Sequence, residues 1–275
     1  RGVLGTVMNL ILWIFSLSCI FPIVWMIYSS LKEKRAFNAD IIGFPKSPTL
    51  INYTRILSNS DYHLGASMWN SVRTTVLSIV LIVAFSFIVG YILSRIHFKL
   101  NRLIYVMFLM GMLIPIHSLL VPIYVVFKKC GLSNQWFTLL FPYVSFGLPM
   151  GIFLVEGYVK TVPVSLEEAA AIDGATPWET LWKVKLPMVM PSITICVFLT
   201  LTNSFKLFDQ NLALTGGDPN HMTEMMALNI YQTFYARAGA QWKGLGQSKA
   251  VLFCLLVIVI SMIQLKATRS REVQQ

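Results

Sequence analysis

Charged residues are scarce in this sequence. Only 12% of its 275 residues are Asp, Glu, Lys or Arg, whereas 56% are hydrophobic. A soluble globular chain carries about 25% charged residues, so a soluble fold of this composition could not cover its surface. The composition also excludes a disordered chain, and it predicts an all-α polytopic membrane protein. The net charge of +10 is typical of basic loops beside anionic lipid, and we expect no nucleic-acid partner.

Residues that form disulfides or hold metals are also few. The four cysteines form no CxxC pair, and Cys19, Cys196 and Cys254 lie in apolar runs, where cysteine acts as a small hydrophobic residue. Cys130 lies in a short loop and is a candidate free thiol. The four histidines are scattered, without HExxH or similar spacing. We therefore expect no disulfide framework and no metal site.

Six apolar runs are long enough to cross a bilayer, which takes about 20 residues. Prolines inside several runs predict kinks, since each proline removes a helix hydrogen bond. The first run is too long for the apolar part of a signal peptide, and because the chain begins at Arg1 without Met we expect some residues to precede it. The runs cover residues 4–30, 71–93, 103–127, 136–158, 187–205 and 250–265.

An even number of spans places both termini on one side of the membrane. Lys and Arg are denser in segments 94–102 and 159–186 and in the tail from 266 than in the other loops, so the positive-inside rule favours cytoplasmic termini in a cytoplasmic membrane. The two longer loops, 31–70 and 207–249, are too short for independent domains. We therefore expect residues 1–275 to form a single transmembrane domain.

The spans lack the groups that would power transport or catalysis. Deep ionisable residues, which serve as ion sites or proton relays in self-powered transporters, are nearly absent, and Glu156, Lys206, Asp209 and Lys249 fall near span ends, where we expect them to reach the interface. No GxxxxGK[ST] loop is present to hold ATP phosphates. The sequence predicts a passive membrane subunit, without catalytic residues or a bound cofactor.

One loop between the fourth and fifth runs has the pattern of two short helices. An S-x-x-E capping box at residues 165–168, with Ser165 as N-cap, predicts a helix that Gly174 is placed to end. A second capping box, T-P-W-E at residues 176–179, has Pro at the first helical position. That helix leads directly to Pro187 and the fifth run. Such a segment can transmit a displacement from the cytoplasm to the membrane helices. An interfacial amphipathic hairpin without a partner would have the same pattern.

This loop resembles the EAA loop of permease subunits in binding-protein-dependent ABC importers. The signature of that loop is EAA-x3-G-x9-[IV]-x-LP, and here Glu168-Ala169-Ala170 is followed by Gly174 and then by Val184-Lys185-Leu186-Pro187. The fuller string EEAAAIDGATPW at residues 167–178 is similar to the carbohydrate branch, the maltose-type permeases. The resemblance implies a type I ABC importer permease fold with six transmembrane helices.

The resemblance also implies a coupling role for residues 163–186, which we call the coupling segment. In this family the EAA helix inserts into a cleft of a cytoplasmic ATPase, and ATP-driven closure of the ATPase dimer turns the permeases from inward-open to outward-open. ATP and Mg²⁺ then belong to the ATPase. We expect Glu168 to cap its helix and to present negative charge to the ATPase, and Glu167 to do only the second. The implied coupling residues are Glu167, Glu168, Ala169, Ala170, Asp173 and Gly174.

The resemblance covers nearly the whole chain. Residues 21–32 and 48–53 are similar to the start of the second permease of maltose-type pairs, whereas residues 214–219 and 230–234 look more like the first permease. It implies a second homologous permease in a heterodimer, an extracytoplasmic solute-binding protein and a sugar substrate, in a bacterial or archaeal cytoplasmic membrane. In the second permease of such pairs, the loop between the fifth and sixth spans reaches into the docked binding protein. The corresponding candidates are Thr215, Gly216, Gly217 and Asp218.

The sugar path is predicted from residue types alone. Sugar sites combine aromatic faces with amide or hydroxyl groups, although helix packing explains the same residues equally well. Two other functional classes stay open: a stand-alone secondary transporter or channel would need ion-coupling residues or a charged pore ring, and a membrane enzyme would need clustered catalytic groups. The path candidates are Tyr143, Ser145, Asn203, Ser204 and Phe205.

Overall fold

A computed structural model describes residues 2–236 and 241–269 of the chain. Throughout these ranges the regular elements are helices, so the predicted all-α class is confirmed. The helices are, in chain order, α1 (Val3–Ser30), α2 (Lys34–Ala39), α3 (Ile51–Ser58), α4 (Leu64–Arg95), α5 (Asn101–Gly111), α6 (Ile116–Lys129), α7 (Leu140–Thr161), α8 (Ser165–Ile172), α9 (Pro177–Thr180), α10 (Leu186–Lys206), α11 (Asp209–Leu214), α12 (Met226–Tyr235) and α13 (Gln241–Arg269).

Five spans in the described part of the chain are long and apolar enough to cross a bilayer, and the pair of α5 and α6 makes a sixth if it counts as one span. The five are α1, α4, α7, α13 and the continuous helical stretch Pro177–Lys206, which contains α9 and α10. They match the first, second, fourth, sixth and fifth apolar runs. The chain is therefore a multi-pass membrane protein, as its composition predicts.

The third span, over the apolar run 103–127, is broken at Pro115, more sharply than the predicted kink. α5 and α6 are bent by 99° relative to each other. Pro115 explains the break, because it has no N–H to donate and it disfavours helical angles in the residue before it. It adopts extended angles (φ −67°, ψ 123°) directly before α6. Pro122, by contrast, lies inside α6, which continues through it.

The described residues fall into two compact units, each of which combines segments that are distant in sequence. The first draws on residues up to 65 and on residues 229–256, and the second on residues 66–228 and on those from 257 onward. The single transmembrane domain over residues 1–275 stays a prediction.

The first unit contains two buried lysines. Lys249, which the sequence places at a span edge and predicts to reach the interface, is only 1% exposed, as is Lys32. The Lys249 ammonium donates to Asn229 Oδ1 at 2.6 Å, to Thr233 Oγ1 at 2.9 Å and to the carbonyl of Tyr62 at 3.0 Å. A buried charge is costly unless it is hydrogen-bonded, so these acceptors explain how Lys249 is tolerated inside the unit.

In the second unit α4 and α7 approach each other closely along three glycines, which we call the glycine seam. A Cβ on Gly90 of α4 would lie 3.0 Å from the Cβ of Val155 of α7. The other two glycines belong to α7. A Cβ on Gly147 would overlap the Ile82 side chain of α4, and a Cβ on Gly151 would overlap the Ser86 side chain of α4. Small residues let membrane helices pack backbone to backbone, so the seam fixes the distance between α4 and α7.

Candidate functional site

The coupling segment begins with α8, one residue earlier than predicted. Val164 has helical angles (φ −63°, ψ −30°), and its carbonyl accepts hydrogen bonds from the amides of Glu167 and Glu168. Ser165 is therefore already helical, and no described side chain caps this end of the helix. The predicted capping box of Ser165 and Glu168 is wrong, because an N-cap residue must lie just outside the helix.

The end of α8 is formed as predicted. Gly174 has a φ of +79°, in the left-handed region that favours glycine. The amide of Gly174 donates to the carbonyl of Ala171 at 3.1 Å, and the amide of Ala175 donates to the carbonyl of Ala170 at 3.0 Å. This pair of bonds is a Schellman motif, which satisfies the last carbonyls of the helix.

The second capping box is confirmed and starts α9. The amide of Glu179 donates to Thr176 Oγ1 at 3.2 Å, and the amide of Thr176 donates to the Glu179 carboxylate at 3.1 Å. α9 continues without a break through a π-helical turn, Leu181–Lys185, into α10. Pro187 follows this turn, and a proline ring clashes with the carbonyl four residues before it. The wider turn accommodates that clash.

Glu167 points into the protein, and not outward as the sequence-based interpretation had it. Its carboxylate lies 3.2 Å from Arg95 Nε and 3.2 Å from Lys185 Nζ, and it accepts a hydrogen bond of 2.6 Å from the Tyr91 hydroxyl. Arg95 also donates to the carbonyl of Val162 at 2.8 Å. We call Tyr91, Arg95, Glu167 and Lys185 the Glu167 clamp.

The clamp stabilises the ionised form of Glu167. Burial alone would raise the pKa of its carboxyl group, but the hydrogen bonds from Tyr91 and Lys185 and the positive charges of Lys185 and Arg95 outweigh burial. The pKa of Glu167 consequently lies below its ordinary value. Sequence analysis missed the three partners because they lie far from Glu167 along the chain.

The other coupling residues form an outward surface. Ala170 is half-buried, whereas Glu168, Ala169, Asp173 and Gly174 are exposed. Beside them three large apolar side chains are also exposed: Ile172 by 86%, Trp178 by 67% and Trp182 by 53%. Exposed apolar groups close to charges are typical of a surface that binds another protein. These three were not predicted, although an Ile within a short polar helix was a signal that could have found the first.

A cavity of about 440 Å³ lies in the second unit, within the size range of small-molecule sites. Tyr143, Asn203 and Ser204 line it, as the predicted sugar path requires. Ser145 is exposed elsewhere on α7, and Phe205 is buried at 3% exposure without lining the cavity, so the structure does not bring these two to the others. The full lining is Ile82, Ile114, Ile116, His117, Tyr143, Phe146, Gly147, Met150, Gly151, Cys196, Leu199, Thr200, Asn203, Ser204, Lys206, Leu207, Asp209 and Gln210.

Polar groups that sequence analysis missed also line the cavity. Gln210 is only 2% exposed, and its Oε1 accepts no hydrogen bond from any described residue. An amide oxygen left in this state costs free energy unless a ligand or water supplies a donor. His117 and Asp209 also line the cavity, with Nδ1 and Oδ2 3.9 Å apart. The break before α6 brings His117 here, and the kink predicted for this span gives no indication of so large a change in direction.

The loop after α11 is held in place by hydrogen bonds within the loop. Thr215 is buried: its hydroxyl accepts from Asn211 Nδ2 at 2.9 Å and donates to the main-chain carbonyl of Asn211 at 3.1 Å. The Asn211 side chain is bonded in turn to the backbone farther along the loop. Gly217 is also buried, whereas Gly216 and Asp218 are exposed. Of the four predicted binding-protein contacts, only these last two are open to a partner.

Known proteins share the sequence pattern of this chain. The family described as binding-protein-dependent transport system inner membrane component matches residues 84–270. That range includes the coupling segment, the loop after α11 and all of the cavity lining except Ile82. The chain therefore belongs to this family of ABC importer permeases, and the resemblance found in the coupling segment is confirmed.

Relatives place the chain among sugar-transport permeases. It is 34% identical over 252 residues to the trehalose/maltose transport system permease protein MalG of Thermococcus litoralis, which covers 91% of this chain and 89% of that protein. A shorter match, 46% identical over 128 residues, is to the probable starch degradation products transport system permease protein AmyD of Thermoanaerobacterium thermosulfurigenes. It covers 46% of this chain and 42% of AmyD. The similarity to maltose-type permeases is thus confirmed.

The fold has a close solved counterpart. A chain in the crystal structure of a bacterial ABC transporter that imports the acidic polysaccharide alginate superposes with a TM-score of 0.81, at 20% identity and with 96% of each chain covered. The ABC importer permease fold is therefore confirmed.

Proposed function

We propose that this chain is the transmembrane permease subunit of an ATP-driven importer of sugars, in particular oligosaccharides. It forms the translocation path with a second homologous permease in a heterodimer, and it works with an ATPase dimer and an extracytoplasmic solute-binding protein. The observation that carries the proposal is the coupling segment, in which a short helix, a tight turn and a second short helix lead into membrane helix α10, the second helix without a break. ATP and Mg²⁺ are held by the ATPase.

The proposed orientation places both termini and the coupling segment in the cytoplasm of a bacterium or archaeon. The density of Lys and Arg in the loop after α4, in the coupling segment and in the C-terminal tail supports this orientation. An ATPase in the cytoplasm can then reach the exposed surface of α8. Glu168 and Asp173 supply negative charge to that contact, and Ile172 supplies an apolar anchor.

The cavity is proposed to hold part of the sugar. Tyr143 and Phe146 offer aromatic rings, and Asn203, Ser204 and Gln210 offer amide and hydroxyl groups, which is the combination that polyhydroxylated ligands need. The far end of α10 lines this cavity, so movement of the coupling segment along α10 would change it. The names of the relatives, for trehalose, maltose and starch products, support a sugar of this kind.

The test is uptake of a panel of labelled oligosaccharides by a strain that lacks the gene and carries it on a plasmid. Uptake should require an active partner ATPase. Asn203→Ala should raise KM by about two- to tenfold, the net value of one hydrogen bond, whereas Thr202→Ala should not, because the Thr202 hydroxyl bonds to its own helix, at 2.8 Å from the carbonyl of Phe198. Uptake that persists with an inactive ATPase would instead support a stand-alone secondary transporter.

A further inference from the structure

The Glu167 clamp joins three parts of the second unit through one carboxylate. Tyr91 and Arg95 belong to the last turns of α4, Glu167 to α8, and Lys185 to the π-helical turn before α10. The Glu167, Arg95 and Lys185 side chains are only 18%, 14% and 24% exposed. Ion pairs in such partly buried places are screened less by solvent and salt than those on an open surface.

The two neighbouring glutamates of α8 are used in opposite ways. Successive residues of an α-helix are about 100° apart around its axis, so Glu167 can face the membrane helices while Glu168 faces outward. Arg95 reinforces the inward contact, because it also donates to the carbonyl of Val162, just before α8. α8 is therefore held at its start and along its inner face.

We propose that Glu167 is a positioning residue that locks α8 to the end of α4 and to the turn before α10, so that a displacement of α8 moves both membrane helices together. The inference rests on the proposed function, since it assumes that an ATPase displaces α8. Without the clamp α8 would be tethered chiefly by the backbone, from Val162 to the Gly174 turn, and could swivel. A movement of the ATPase would then displace α8 without displacing α4 and α10.

The test uses the complete importer, purified with its second permease and ATPase and reconstituted in liposomes with the binding protein. Glu167→Gln keeps the size and removes the charge, and Glu168→Gln is the matched change at the next residue. The Glu167→Gln importer should keep its ATPase, but sugar imported per ATP hydrolysed should fall by at least about fivefold, the low end of typical coupling between sites. Tyr91→Phe, which removes a single hydrogen bond, should lower the same ratio less. Glu168→Gln should instead weaken ATPase binding, in a salt-dependent way.

A structural measurement separates positioning from general stability. Spin labels at Ala171 of α8 and Ile96, just after α4, both of which are exposed, should give a narrow distance distribution in wild type and a broad one in Glu167→Gln. The inference is overturned if the distribution stays narrow, if sugar per ATP is unchanged, or if Glu167→Gln loses the ATPase as Glu168→Gln does. If the wild-type importer transports without ATP, the proposed function fails, while the spin-label distances still decide whether the clamp positions α8.

Discussion

Replacing Gly174 by alanine should weaken coupling through the backbone alone. The residue has a φ of +79°, and a Cβ added there meets no described atom within 4 Å, so a steric clash makes no contribution. An L-residue in the left-handed region costs about 1–2 kcal/mol, which changes a local equilibrium by about 5–30-fold. We expect the Schellman turn to open, the direction of α9 relative to α8 to vary, and sugar uptake to fall by up to this factor.

Gly131 provides a matched control for this prediction. It has a φ of +68°, it also has no described atom within 4 Å of an added Cβ, and it lies outside the coupling segment. Gly131→Ala and Gly174→Ala should therefore lower the thermal unfolding temperature by similar amounts, but only Gly174→Ala should lower uptake per assembled complex. Gly174→Asn should recover part of the loss, because asparagine tolerates the left-handed region. Equal uptake defects in the two alanine variants, or none in either, would refute the reasoning.

Two further predictions concern the Glu167 clamp and the loop after α11. The pKa of Glu167 lies below its ordinary value of 4.5, so the clamp stabilises the fold above that pH and this stabilisation is lost as the pH falls through the lowered pKa. The difference in unfolding temperature between wild type and Glu167→Gln should thus stay constant near pH 7 and shrink as the pH falls from about 5 to about 3, and a difference that stays constant over that lower range would contradict it. A cysteine at exposed Asp218 should crosslink to the binding protein only when ATP is trapped on the ATPase. Absence of a crosslink in both states, with the complex assembled, would reduce the loop to a connector.

Features that depend on neighbours in sequence were predictable. The Thr176 capping box and the Gly174 turn are each set by residues three to five positions apart, and the spans follow from apolar length. The error at Ser165 shows the limit of such rules. The sequence there has the S-x-x-E pattern of a capping box, but the helix already includes Ser165, the predicted N-cap. A residue inside the helix cannot act as its N-cap.

Features that depend on tertiary packing were not predictable. Glu167 and Glu168 are chemically identical neighbours, and only the positions of Arg95 and Lys185 decide which one turns inward. Lys249 has the sequence context of an interfacial residue, yet it is surrounded by three acceptors from two other parts of its unit, α12 and the turn at Tyr62. Sequence periodicity predicts a helix, but it does not identify the residues of other elements that contact each face of that helix.

The glycine seam divides the wall of the cavity into a fixed and an adjustable half. Gly147 and Gly151 of the seam, together with Ile82, against which Gly147 packs, also line the cavity. Backbones packed this closely cannot slide or separate without opening a void. α4 and α7 therefore move as one rigid unit. Any change in the size of the cavity must come from α6, α10 and α11 on its other side. Substitutions that tune which solute fits would thus be tolerated on that second half. A methyl group added at Gly90 would instead lie 3.0 Å from the Cβ of Val155 and 3.1 Å from the amide nitrogen of Glu156, and would press α4 and α7 apart.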